Sequence, residues 1–187
     1  MPRTKIDERE LLESLTRLFR DKGFDGASLS LISEATGLQR ASLYHRFPGG
    51  KAQMALAVLD HVHRRFGDEI LAPLSGSGAP LTRIRAAARK LDEFYEGGMR
   101  SCLIDTMSLG EQTPEIRAAV AASITALTDA FVAVSREVGN TASVARRLGH
   151  EAVLRLQGAL VIARATGDAQ PFGRVIKDLP ALLSGEA

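Results

Sequence analysis

Apolar residues recur at helical spacing along nearly the whole chain, and no stretch alternates as a strand would. Leu11, Leu12, Leu15, Leu18 and Phe19 mark the inner side of a first helix over about residues 7–22. Asp7 and Glu10 fit a capping box with Asp in place of the usual Ser or Thr, Gly23 ends the helix, and Phe24 follows as an apolar anchor. Ser28 is a good N-cap for a short second helix with Leu29, Ile32 and Ala35 on one face. Gly37 closes it, since glycine tolerates the left-handed conformation of a tight turn. Leu38 can fill the space under that turn, and a third helix begins at Gln39 with Leu43 and Phe47 spaced i, i+4 and pointing inward.

The same period continues behind this head. Met54, Val58, Val62 and Phe66 form the stripe of a linking helix from Lys51 to about Leu71. Pro73 to Pro80, with Ser75-Gly76-Ser77-Gly78, reads as a linker. A helix over 81–96 stops at Gly97-Gly98, and a short one covers about 101–109. Thr113-Pro114 starts the next, with threonine as N-cap and proline at the first helical position. It carries Ile116, Val120, Ile124, Leu127, Phe131, Val134 and Val138 up to Gly139. A helix over 142–166 and a final segment over 172–183, interrupted by Pro180, complete the chain. The pattern predicts an all-α protein of about nine helices, split into a helix-turn-helix head over 1–50 and a helical domain over 51–187.

The polar positions of the third helix give the first functional signal. Gln39, Arg40, Ser42, Tyr44, His45 and Arg46 lie off its apolar edge, and nearly all can donate hydrogen bonds. A helix with a buried apolar edge and a donor-rich outer face suits the DNA major groove. An ordinary helical hairpin with a solvated face would show a similar pattern. On the DNA-reading view Ser28, Tyr44, His45 and Lys51 contact phosphate, while Gln39, Arg40, Ser42 and Ser30 of the preceding helix read base edges.

Charge supports the division. The net charge of the 187 residues is only +2, but residues 1–51 carry nine Lys/Arg against seven Asp/Glu, and the rest is balanced. From Leu38 to Lys51 there are three basic residues and no acidic ones. A modest basic face on a neutral body fits a dimeric sequence-specific reader better than a non-specific coating protein. The 45% apolar content supports a sizeable core, and the single cysteine, Cys102, excludes an intrachain disulfide. No apolar run reads as long enough to cross a membrane and no signal-peptide pattern opens the chain, so the expected location is the cytoplasm.

Leu18-Phe19, Gly23-Phe24, Ile32, Gly37, Leu43-Tyr44-His45-Arg46-Phe47 and Lys51 resemble the TetR family of one-component transcriptional regulators. The resemblance covers roughly Leu11 to Leu59; the remainder matches in length and helical character. Two positions depart from it. Ser33 stands where the family most often has alanine, so its hydroxyl must find a partner. Phe47-Pro48-Gly49-Gly50-Lys51 holds one residue more than the usual F-x-x-K spacing. The resemblance implies double-stranded operator DNA as partner, a small-molecule cavity in the body, and a homodimer whose last two helices form a four-helix bundle with their copies.

The body offers candidates for those roles. Phe94, Tyr95, Met99, Cys102, Met107 and Phe131 cluster in sequence, and Met beside aromatics suits an adaptable apolar pocket. Gln157 and Arg155 could add polar contacts; packing as plain core is the competing reading. Val153, Leu156, Leu160 and Ala163, with Val175 and Leu179 from the final segment, are the expected dimer surface, against simple packing within one chain. Gly158 would let another backbone come close. Cys102 follows Arg100 and Ser101 near a probable helix start, an arrangement that would activate a thiol for redox or electrophile sensing. His61 and His63 stand i, i+2 on different helix faces with no completing ligands, so no metal or cofactor is expected. The main expectation is a repressor released from its operator by a small apolar or amphipathic ligand. A thiol-switched regulator and a small helical enzyme are the rivals, although no catalytic constellation stands out.

Overall fold

The computed structural model describes residues 6–186; Arg3 and Lys5 of the basic count lie outside them. Among the described residues all regular structure is helical. Nine helices follow in order: α1 Glu8–Gly26, α2 Leu29–Thr36, α3 Arg40–Arg46, α4 Gly50–Phe66, α5 Pro80–Phe94, α6 Leu103–Met107, α7 Pro114–Val138, α8 Ala142–Thr166 and α9 Gln170–Ser184. A π-helical turn, Gly67–Leu71, and one more turn, Ala72–Leu74, extend α4. The chain divides into two compact units. The first runs to Arg64 and takes in Leu103–Ala121; the second comprises Arg65–Cys102 and Ala122–Ala187. The cut therefore differs from the expected one at residue 50, and α4 and α7 each contribute to both units.

The first unit is built on α1. Asp7 caps it by accepting from Glu10 N at 2.7 Å, and a break at Gly23 (φ 66°) turns its end. Leu11, Leu15 and Phe19 are buried with Ile32 of α2, Leu43 of α3, and Met54 and Val58 of α4. Leu103 and Met107 of α6, and Ile116 and Val120 of α7, complete this core, and α6 packs on α1. The loop between α6 and α7 is tied to the head by Asp25, whose carboxylate accepts from Glu111 N at 3.0 Å. Gly110 makes that possible: a Cβ there would lie 1.8 Å from Asp25 Oδ2. Thr113 caps α7, its hydroxyl accepting from Ile116 N at 3.3 Å. Glu115 in the first turn is held below the usual carboxylate range by a hydrogen bond to its own backbone N–H and by the Thr113 hydroxyl.

In the second unit α9 packs against both α8 and α5. Arg83 of α5 is buried and ties three segments together, donating to Leu74 O at 2.6 Å and to the Glu137 carboxylate near the end of α7. Ser135 Oγ and Asn140 Nδ2 donate to Leu183 O at 2.7 and 3.1 Å, fastening the end of α9. Four rings form an edge-to-face chain: Phe66–Phe94, Phe94–Tyr95 and Tyr95–Phe172, with centroids 5.3, 5.1 and 6.0 Å apart.

One sequence expectation fails at α7. Its 25 residues are long and apolar enough to cross a membrane by length and composition. Alanines raise its hydropathy without the large side chains by which an apolar run is recognised. A core helix of a water-soluble protein passes the same test, and the large residues of α7 are committed to cores: Ile116 and Val120 in the first unit, Leu127, Phe131 and Val134 in the second.

Ser33 also differs from expectation. Its Oγ is buried and has no hydrogen-bond partner among the described residues. An unsatisfied buried hydroxyl costs about 1–3 kcal/mol, and alanine favours the helix more. Ser33→Ala is expected to raise the melting temperature by roughly 2–4 °C per kcal/mol recovered, read by circular dichroism. A lower melting temperature would mean that the hydroxyl is satisfied after all.

Candidate DNA-reading site

The site is assembled around the turn at Gly37, which sits in the left-handed region at φ 67°, ψ 8°. Thr36 braces the turn: its hydroxyl donates to Ile32 O at 2.7 Å and accepts from Leu38 N at 3.3 Å. Leu38 is half-buried beneath, and Leu43 is fully buried. These two anchors fix which side of α3 faces outward.

On that outer side Gln39, Arg40, Tyr44 and His45 are exposed, with Ser42 half-buried among them. Gln39 is the N-cap residue of α3 but makes no side-chain capping bond, so its amide remains available. Arg40 Nη2 donates to Ser30 Oγ at 2.8 Å, joining two expected base readers across the motif. Ser28 is exposed at the start of α2, and its hydroxyl accepts from Leu31 N at 3.3 Å. Tyr44 is 45% exposed, with its ring edge 3.5 Å from where a Cβ on Gly50 would sit. The extra glycine of the Phe47–Lys51 spacing thus lies under that ring, while Gly49 N donates to Gln53 Oε1 at 2.8 Å to start α4.

Lys51 stands apart from this group. Its ammonium donates to Phe24 O at 2.8 Å and lies 4.3 Å above the Phe24 ring. Phe24 follows the break at Gly23, where a carbonyl is released from the helix, and Lys51 satisfies it. The residue expected at phosphate is thus joined to the end of α1. Arg46, not singled out as a contact, donates to Ile6 O at 3.2 Å and ties α3 to the start of α1.

The expected ligand residues separate. Phe94, Tyr95, Cys102 and Phe131 are buried in the second unit, and Gln157 is half-buried there. Tyr95 OH lies 3.6 Å from Cys102 Sγ. Met99 does not join them, being 52% exposed, and Met107 lies in the core of the first unit. Sequence proximity misled at both: Met99 follows the turn at Gly97-Gly98, and α6 turns Met107 toward α1. Phe66 and Phe172, missed in the sequence, belong to the ring chain instead. Arg155 pairs with Glu151 at 2.6 Å. The setting proposed to activate Cys102 is weak. The thiol is buried, α6 has only five residues, and Arg100 donates to Phe94 O and to the Glu96 carboxylate.

The expected dimer surface is corrected more sharply. Val153, Leu156, Leu160, Ala163 and Leu179 are all buried within the subunit. Only Val175 remains accessible. Helix α8 is apolar on two sides, and the side chosen from sequence is its inner one. The outer side presents Leu154, 73% exposed, with Gly158, Val161 and Ile162. Beside it, a groove of about 420 Å³ between α8 and α9 is lined by Gly158, Ile162, Pro171, Arg174 and Val175.

Comparison with known proteins agrees with this architecture. Residues 11–58 match the model for bacterial regulatory proteins of the tetR family. Residues 67–178 match that for the C-terminal domain of LmrA/YxaF-like transcriptional regulators. The HTH-type transcriptional regulator LmrA of Bacillus subtilis is 24% identical over 184 residues, covering 95% of this chain and 97% of its own length. The fold is shared with a TetR transcriptional regulator from Legionella pneumophila, at TM-score 0.80 and 18% identity over 94% of this chain and 97% of that one. The regulatory protein TetR from Rhodobacter sphaeroides gives 0.79 and 22% over 93% and 97%. The chain is a helix-turn-helix transcriptional regulator, not an enzyme, and belongs to the TetR family with an LmrA/YxaF-like C-terminal domain.

Proposed function

We propose that this regulator is a cytoplasmic homodimeric repressor, released from double-stranded operator DNA by a small apolar or amphipathic ligand. The observation that carries the reading is the exposed face of α3, where Gln39, Arg40, Tyr44 and His45 surround a helix held by buried Leu43. Arg40 and Gln39, with Ser42, read base edges, and Ser28, Tyr44 and His45 hold phosphate. One such helix binds weakly, so two heads engage successive major grooves about 34–36 Å apart. The outer face of α8 supports pairing: Leu154 is a large apolar side chain in water beside an apolar groove of its own subunit. A second copy related by two-fold symmetry would seat each Leu154 against the other's α8–α9 face.

The ring chain around Phe94, Tyr95 and Phe172 is the preferred place for an apolar effector, with Tyr95 OH as a polar contact. A ligand there would favour a wrong spacing of the heads. Coupling of about 1–3 kcal/mol changes operator affinity roughly 5- to 150-fold. Helices α4 and α7, which contribute to both units, are the levers. Direct sensing by Cys102 has less support, because its thiol is buried and Arg100 is engaged elsewhere.

Gel shift with DNA from immediately upstream of the gene tests the reading as a whole. Arg40→Ala should weaken operator binding far more than binding to random DNA; equal losses on both would remove its base-reading role. Lys51→Ala should lower the melting temperature, since about 1–2 kcal/mol is lost with a charged hydrogen bond to a half-buried carbonyl. The slope of log affinity against log salt should stay unchanged; a fall of about 0.9 would return Lys51 to phosphate. Leu154→Glu should leave the subunit folded but monomeric by analytical ultracentrifugation, with operator affinity down by about 10²- to 10⁴-fold as bivalency is lost. A dimer that persists would place the interface elsewhere.

A further inference from the structure

We infer that Ser30 is a positioning residue for Arg40: it aims the guanidinium at one base pair and does not itself read DNA. The inference rests on the base-reading role given above to Arg40. The two residues are ten apart in sequence, on different helices, yet Arg40 Nη2 reaches Ser30 Oγ at 2.8 Å. Ser30 lies in the first turn of α2, whose start is held by the Ser28 cap. Arg40 is the first residue of α3, and Gly37 and Thr36 set the angle between the helices. The serine hydroxyl is thus a fixed point from which a long, freely rotating side chain can be held.

The chemistry permits holding and reading together. A guanidinium has two forked faces, one formed by Nε and Nη2, the other by Nη1 and Nη2. Nη2 carries one hydrogen on each face. Ser30 takes one of them, so the other face keeps both donors for the bidentate pair with guanine O6 and N7. The hydroxyl accepts this bond, so it keeps the arginine in one rotamer without competing for the base.

Both groups are exposed, so water competes for the bond in free protein and it adds little to folding. Its effect belongs to binding, where immobilising a rotamer-rich side chain has a cost that pre-organisation removes. That cost corresponds to roughly a 2- to 12-fold change in affinity.

The test is a double-mutant cycle in the full-length protein, on upstream DNA and on copies with single base-pair changes. Ser30→Ala should leave the melting temperature unchanged, weaken operator binding by about 2- to 12-fold, and flatten discrimination at the one base pair that Arg40→Ala also flattens. Ser30→Thr, which keeps the hydroxyl, should restore both. In the Arg40→Ala background Ser30→Ala should have no further effect. Additive losses, or loss of discrimination at a different base pair, would make Ser30 a reader in its own right. No effect of Ser30→Ala beside a strong effect of Arg40→Ala would overturn the positioning role while leaving the base-reading proposal intact. An Arg40→Ala protein with full discrimination would overturn the base-reading proposal first, and the positioning role with it.

Discussion

Seven residues are too few to hold an α-helix in water, because nucleation is unfavourable and few hydrogen bonds follow it. Helix α3 exists because Leu43 is fully buried and because Gly37 lets the chain reverse without strain just before it. The eight residues of α2 are in the same position, relying on Ile32 and on the Ser28 cap. The core that receives both side chains is not closed by α1, α2 and α3 alone. It includes Leu103 and Met107 of α6 and Ile116 and Val120 of α7, from sixty or more positions later in the chain. The reading helix is therefore as stable as a set of contacts made by residues outside the motif.

That dependence gives regulation a physical route. Anything that moves α6 or the start of α7 changes the packing on which α3 stands, without touching DNA. The tie between Asp25 and Glu111 N works in the same direction, since it holds the α6–α7 loop to the residues just after the break in α1. Gly110 shows how closely these segments approach, because even a methyl group there would meet the carboxylate. A proposed effector need only make α7, which continues into the second unit, prefer a different position.

Much of this was legible in the sequence, and the failures share a cause. Caps and turns are local chemistry, so Asp7, Ser28, Gly37, Thr113 and Thr141 stand where the pattern put them. The donor-rich face of α3 followed from the i, i+4 placement of Leu43 and Phe47. Periodicity shows that a helix has an apolar face but not which neighbour covers it. Met107 belongs to the head because α6 packs on α1, a contact of long sequence separation. Helix α8 is apolar on two sides, and only its packing on α9 tells the inner side from the outer. The same limit applies to Lys51, whose partner is the carbonyl freed by the break at Gly23, twenty-seven residues upstream.

These internal ties also bear on how such a head selects its site. Of the three cations between Leu38 and Lys51, two donate to backbone carbonyls: Arg46 to Ile6 O and Lys51 to Phe24 O. Both bonds hold the head together and reduce the positive charge free to track phosphate. Non-specific affinity scales with the number of phosphates neutralised, so a head built this way binds random DNA weakly. Discrimination then comes from geometry: one arginine held at a fixed angle by Ser30, an unconstrained Gln39 beside it, and a second copy setting the distance between grooves. A regulator with little surplus charge gains its contrast between operator and genome from positioning, and any change that disturbs position disturbs binding.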